Sequence, residues 1–64
     1  MLKLNFEIDN NIYPIDLINQ AISDFQEVSN ITLNNNILTI EDENPEIIFS
    51  ELINYVLALY NQLN

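Results

Sequence analysis

Ile31-Thr32-Leu33-Asn34-Asn35-Asn36-Ile37-Leu38-Thr39-Ile40-Glu41-Asp42-Glu43-Asn44-Pro45 is the stretch that decides how this chain folds. Two apolar, β-branched runs, 31–33 and 37–40, flank three asparagines. β-Branched side chains suit a pleated, half-buried strand. A three-residue Asn loop, with one residue at positive φ, joins the runs as a hairpin. The acidic run Glu41-Asp42-Glu43 ends the second strand. Asn44 then reads as an N-cap, Pro45 as the first helical residue with φ already fixed, and Glu46 as first-turn negative charge.

Downstream, residues 44–64 read as one long helix. On a wheel of ~100° per residue, Ile48, Leu52, Tyr55, Leu59 and Leu63 form one apolar stripe. Phe49, Ile53, Leu57 and Tyr60 form a second beside it, with Val56 between. Together they span roughly 200°, whereas a helix resting on one core needs a stripe a little over ~100° wide. Ser50, Glu51, Asn54, Asn61 and Gln62 mark the wet side.

Upstream, Leu2, Leu4, Phe6 and Ile8 alternate with Lys3, Asn5, Glu7 and Asp9, the period of a strand with one face buried and one wet. Asn10 and Asn11 make a turn, a place where Asn tolerates the left-handed conformation in a chain without Gly. Pro14 opens a second helix at its first position. There Ile15, Ile18, Ile22 and Phe25 recur at helical spacing, flanked by Leu17, Ala21 and Val28, with Asp16, Gln20, Ser23 and Glu27 toward water.

The order is β-α-β-β-α, a small two-layer α+β domain over residues 1–64. The expected architecture is a three-stranded sheet with both helices on one face. It resembles a ferredoxin-like unit lacking its last strand, in the order 2-3-1, with the first strand as an open edge partly blunted by Lys3, Glu7 and Asp9.

Composition narrows the function. A 64-residue chain buries only about 60% of its unfolded surface, so association is an expected source of added stability. Without Cys or His, disulfides and the usual structural metals are unavailable. Ten acidic residues against Lys3 alone give a net charge of −9. That argues against nucleic acid and anionic membranes as partners, and for a basic protein surface met by electrostatic steering. No signal peptide is read in the alternating start, and Ile47 to Tyr60 is too short and interrupted to span a bilayer. The expected location is the cytoplasm.

No catalytic constellation emerges. Ser23, Ser29 and Ser50 have no His to activate them. Glu41, Asp42, Glu43 and Glu46 form the one dense carboxylate cluster, and their place before a helix N-terminus makes capping the better reading. They lack the spacing and the Gly of a calcium loop, and a chain without Gly has no Gly-rich phosphate loop. An acyl carrier's Asp-Ser-Leu attachment site is absent, with Ile22-Ser23-Asp24 and Phe49-Ser50-Glu51 the nearest strings. The expectation is a protein that is not an enzyme and holds no cofactor or metal. Its candidate partner-binding residues are Phe49, Ile53, Leu57 and Tyr60, because clustered apolar and aromatic side chains form the cores of interfaces.

Two segments carry a family resemblance: Ala21-Ile22-Ser23-Asp24-Phe25 closing the first helix, and Ser50-Glu51-Leu52-Ile53-Asn54-Tyr55-Val56-Leu57-Ala58-Leu59 in the last. With the hairpin and acidic stretch between them, the chain resembles the HxsD-like family, the small D components of His-Xaa-Ser peptide maturation systems. The resemblance implies an accessory subunit of a radical SAM maturase acting on a ribosomally made precursor peptide. It implies no catalytic residues. Two other readings stand beside it: an acidic inhibitor or antitoxin-like protein occupying a basic groove, and a homodimer through the same stripe.

Overall fold

The structure, a computed structural model, describes residues 1–63, and of Leu63 the backbone only. Its elements run β1 (Leu2–Glu7), α1 (Ile15–Phe25), β2 (Asn30–Asn34), β3 (Ile37–Asp42) and α2 (Pro45–Leu63). The sheet order is β1-β3-β2, with β3 antiparallel to both neighbours. The β-α-β-β-α order and the open edge at β1 are therefore as the sequence predicts.

The register explains the layering. Leu4 pairs with Ile40, and Ile40 with Ile31; Phe6 pairs with Leu38, and Leu38 with Leu33. These rows point to one face, where Ile31, Leu38 and Ile40 are buried. Ile18, Ala21 and Ile22 of α1 and Ile48, Leu52 and Val56 of α2 complete the core. The opposite face carries Lys3, Asn5, Thr39, Glu41, Asn30 and Thr32. It is tied by Thr39 Oγ1 donating to Asn5 Oδ1 at 2.7 Å and Asn30 Nδ2 donating to Glu41 Oε1 at 3.2 Å. One dry face and one wet face follow directly from the period of two.

Several expectations are corrected. The hairpin loop is Asn35-Asn36, because Asn34 remains paired with Ile37; Asn35 takes the positive φ, at 57°. The Asn10 turn uses no left-handed residue. Asp9 organises it instead, its carbonyl accepting from the N–H groups of Ile12 and Tyr13 and its side chain accepting from Asn11 N–H at 2.9 Å. Pro14 precedes α1 with ψ 132°, its carbonyl accepting from Leu17 and Ile18 N–H at 3.1 Å each. Val28 is not part of the α1 face. The helix ends at Phe25, whose carbonyl accepts from Val28 and Ser29 N–H, and this tight exit leaves Val28 exposed.

Asn44 caps α2 as expected from its backbone, with its carbonyl accepting from Ile47 and Ile48 N–H at 3.1 and 3.2 Å. Among the described residues, no helix is long and apolar enough to cross a membrane.

Candidate functional site

α2 lies across β3 and β1 with α1 at its side. Its first apolar stripe is core: Ile48 and Leu52 are buried, as is Val56 between the stripes, while Tyr55 packs on Phe25 with ring centroids 5.5 Å apart. Leu59 lies with Leu17 and Gln20 of α1 around a shallow groove. The side chain of Leu63, read as the last member of that stripe, lies outside the described residues.

The second stripe divides into two halves. Phe49 is half-buried and stacks on Phe6, with centroids 4.1 Å apart and rings 3° from parallel. Ile53 is also half-buried against the core. One and two turns further on, Leu57 is 43% exposed and Tyr60 47%. Two of the four candidate anchors thus help to close the domain, and two stand on its surface. The sheet explains the division: strands of five or six residues reach about 20 Å, whereas nineteen helical residues reach about 28 Å.

A second apolar surface lies at the other end of α2. The face of β1 expected to be buried is dry only at Phe6 and Ile8; Leu2 is 60% exposed and Leu4 is also exposed. Beside them Ile47 is 55% exposed. Leu2, Leu4, Pro45 and Ile47 surround a hollow of about 290 Å³, with Glu43, Asn44 and Glu46 on its rim. The sequence held two signals of this surface: the strand from Leu2 to Ile8 reads as an open edge able to pair with a partner strand or extended peptide, and Ile47 falls in neither stripe of the helical wheel.

The polar contacts serve structure. Tyr55 OH donates to Asp24 Oδ2 at 2.5 Å, and Gln20 Nε2 donates to both Asp24 oxygens at 3.3 Å. The Tyr55 hydrogen bond foremost, then that of Gln20, holds the Asp24 carboxyl below its ordinary value of 3.8. The same bond to Asp24 raises Tyr55 above 10.0. Both shifts lead away from neutral pH, the opposite of what proton transfer near pH 7 requires. Ser29, buried between α1 and β2, donates from Oγ to Asp42 Oδ2 at 2.5 Å. That bond, followed by the one from Asn44 N–H, lowers the Asp42 carboxyl. Asp42 thus anchors the entry to α2 at both ends, a positioning role in keeping with capping. Among the described residues, no group of three acidic side chains is disposed to hold a metal ion.

Compared with protein-family models, curated proteins and solved structures, the chain gives no match in any of the three.

Proposed function

We propose that this protein is a non-catalytic accessory module of the cytoplasm that docks on a larger enzyme through the outer half of α2. The observation that carries this reading is the exposure of Leu57 and Tyr60 beyond Val56, the last buried residue of the helix among the described side chains. Apolar and aromatic side chains held on a rigid helix are pre-ordered for insertion into a partner groove. Phe49 and Ile53 continue the stripe toward β1 and hold it in place. The resemblance to the HxsD-like family directs the partner toward a radical SAM peptide maturase and its precursor peptide, with the small domain as an accessory subunit.

The acidic-inhibitor reading keeps one specific support, the net charge of −9 with Lys3 as the lone cation. Salt separates the two, because exposed ion pairs weaken as screening grows while apolar contacts persist. The test is capture of partners from native extract at high salt with the tagged chain and with Leu57→Asp, whose position is too exposed to disturb the core. Recovery of an iron–sulfur enzyme by the parent chain, lost in Leu57→Asp with an unchanged circular dichroism melt, is the expected result. A basic partner that leaves with salt would move the assignment to the inhibitor. Recovery of the chain alone would move it to a homodimer.

A further inference from the structure

We infer that β1 receives an extended, cationic peptide segment as a fourth strand, seated on the hollow formed by Leu2, Leu4 and Ile47. This goes beyond the helix reading, since it concerns the opposite end of α2 and a partner of different chemistry.

The backbone supplies the first part of the argument. Ile8 N–H donates to Asn36 carbonyl at 2.7 Å, continuing the β1–β3 ladder by one residue. Antiparallel ladders alternate, so Leu2, Leu4, Phe6 and Ile8 direct their backbone groups at β3. Lys3, Asn5 and Glu7 then present N–H and C=O groups to the open edge. An added strand pairs with those groups, the mode by which sheet edges bind extended peptides.

The side chains supply the second part. On the helix side of the edge, exposed Leu2, Leu4 and Ile47 offer apolar contact to every second residue of an incoming strand. The intervening residues lie beside Lys3, Asn5 and Glu7 on the wet face. The preferred ligand therefore alternates apolar and polar positions.

Charge identifies the occupant. Glu43 and Glu46 rim the hollow, and Glu7 and Asp9 stand at the far end of the strand. The α2 N-terminus contributes only about half a positive charge, less than the two full carboxylates beside it. On the wet face Glu7 and Glu41, the cross-strand partner of Lys3, outnumber that lysine beside the ligand's polar positions. Those positions, and the end of the ligand that passes the rim carboxylates Glu43 and Glu46, are therefore Lys or Arg. A second copy of this chain is the inferior occupant. Antiparallel pairing centred on Asn5 would set Lys3 against Glu7, but exposed ion pairs contribute only ~0–1 kcal/mol. It would also bring two chains of −9 together and offer Leu2 only Ile8, already buried in its own core.

The test uses a synthetic nine-residue peptide of alternating Val and Lys, titrated into isotopically labelled full-length protein and followed by amide NMR and exchange. Expected are saturable shifts centred on β1 and Ile47, new exchange protection at Lys3, Asn5 and Glu7, and weaker binding at higher salt. Glu43→Gln combined with Glu46→Gln should weaken binding about tenfold, as should Ile47→Asp, while Leu57→Asp leaves it unchanged. Equal binding of the Val/Glu counterpart, shifts centred on Leu57 and Tyr60, or no binding at all overturns the inference. Protection of Lys3, Asn5 and Glu7 in the free protein together with a dimeric mass also overturns it, by assigning the edge to a second copy. Loss of binding at the edge leaves the helix reading standing, because its anchors lie at the other end of α2, and shifts centred on Leu57 and Tyr60 would support that reading while overturning this one.

Discussion

α1 and α2 rest on the same sheet face, but they use their apolar residues differently. In α1, Ile18, Ala21 and Ile22 are buried and Leu17 and Phe25 lie at the core margin; Ile15, expected on the same face, is exposed because it opens the helix, and the remaining circumference is largely polar. α2 continues past what the sheet covers at both ends, leaving Ile47 at one and Leu57 and Tyr60 at the other. Amphipathicity in the shorter helix is explained by folding from Leu17 onward, with Ile15 alone left exposed at its start. In the longer helix, folding accounts for the middle and not for the ends. Burial therefore separates side chains that stabilise the domain from those available to another molecule, a distinction hydrophobicity alone does not make.

The sharpest way to break this comparison is to truncate one residue from each part of α2. Leu52 is fully buried, and Leu52→Ala should cost about 2–5 kcal/mol. In a domain this small, that is enough to leave the isolated chain largely unfolded. Leu57→Ala should change stability by less than about 0.5 kcal/mol, as surface substitutions do. Urea denaturation followed by circular dichroism measures both. Equal losses at the two positions would abolish the division.

Phe49 provides the intermediate case. Its ring lies parallel to Phe6 at 4.1 Å while remaining only partly exposed. Phe49→Ala should destabilise the isolated domain by about 2 kcal/mol, combining lost partial burial with the aromatic pair. A double-mutant cycle with Phe6→Ala should return a coupling of about 1 kcal/mol. A coupling near zero would return Phe49 to the set of surface anchors and unite the stripe again.

The smallest effect is on pH dependence. Asp24 and Asp42 have depressed carboxyl pKa values in the folded chain. Their contributions are present above the ordinary value of 3.8 and disappear as pH falls through it toward the folded values. Tyr55 is raised, so its contribution is present below 10.0 and disappears as pH rises through the folded value. With no His in the chain, stability should be nearly flat between these limbs. Tyr55→Phe should remove the alkaline limb and soften the acid one, whereas Asp42→Asn should soften the acid limb alone. All three groups are exposed to solvent screening, so salt should flatten both limbs. Thermal melts from pH 3 to 11 give the comparison.

Local signals carried much of the fold. Alternation over Leu2 to Ile8, the helical spacing of Ile18, Ile22 and Phe25, and the Asn44-Pro45 start each express a period or a dihedral restriction visible within a few residues. The element order and the edge position of β1 followed from those signals together with short connections. Tighter details escaped them. Asn34 joins the ladder because Ile37 is its partner, and Val28 is exposed because Phe25 and Ser29 close the helix exit.

For the surface, the sequence alone established an excess: more apolar circumference on the last helix than one core requires, in a chain with one cation and no His or Cys. Only the tertiary structure decided where the excess lies. It drew Phe49 onto Phe6, left Leu57 and Tyr60 beyond the core, and exposed Leu2, Leu4 and Ile47 at an unpaired edge. The physical reason is geometric. A helical wheel ranks directions around an axis, but burial depends on how far along that axis the neighbouring sheet extends.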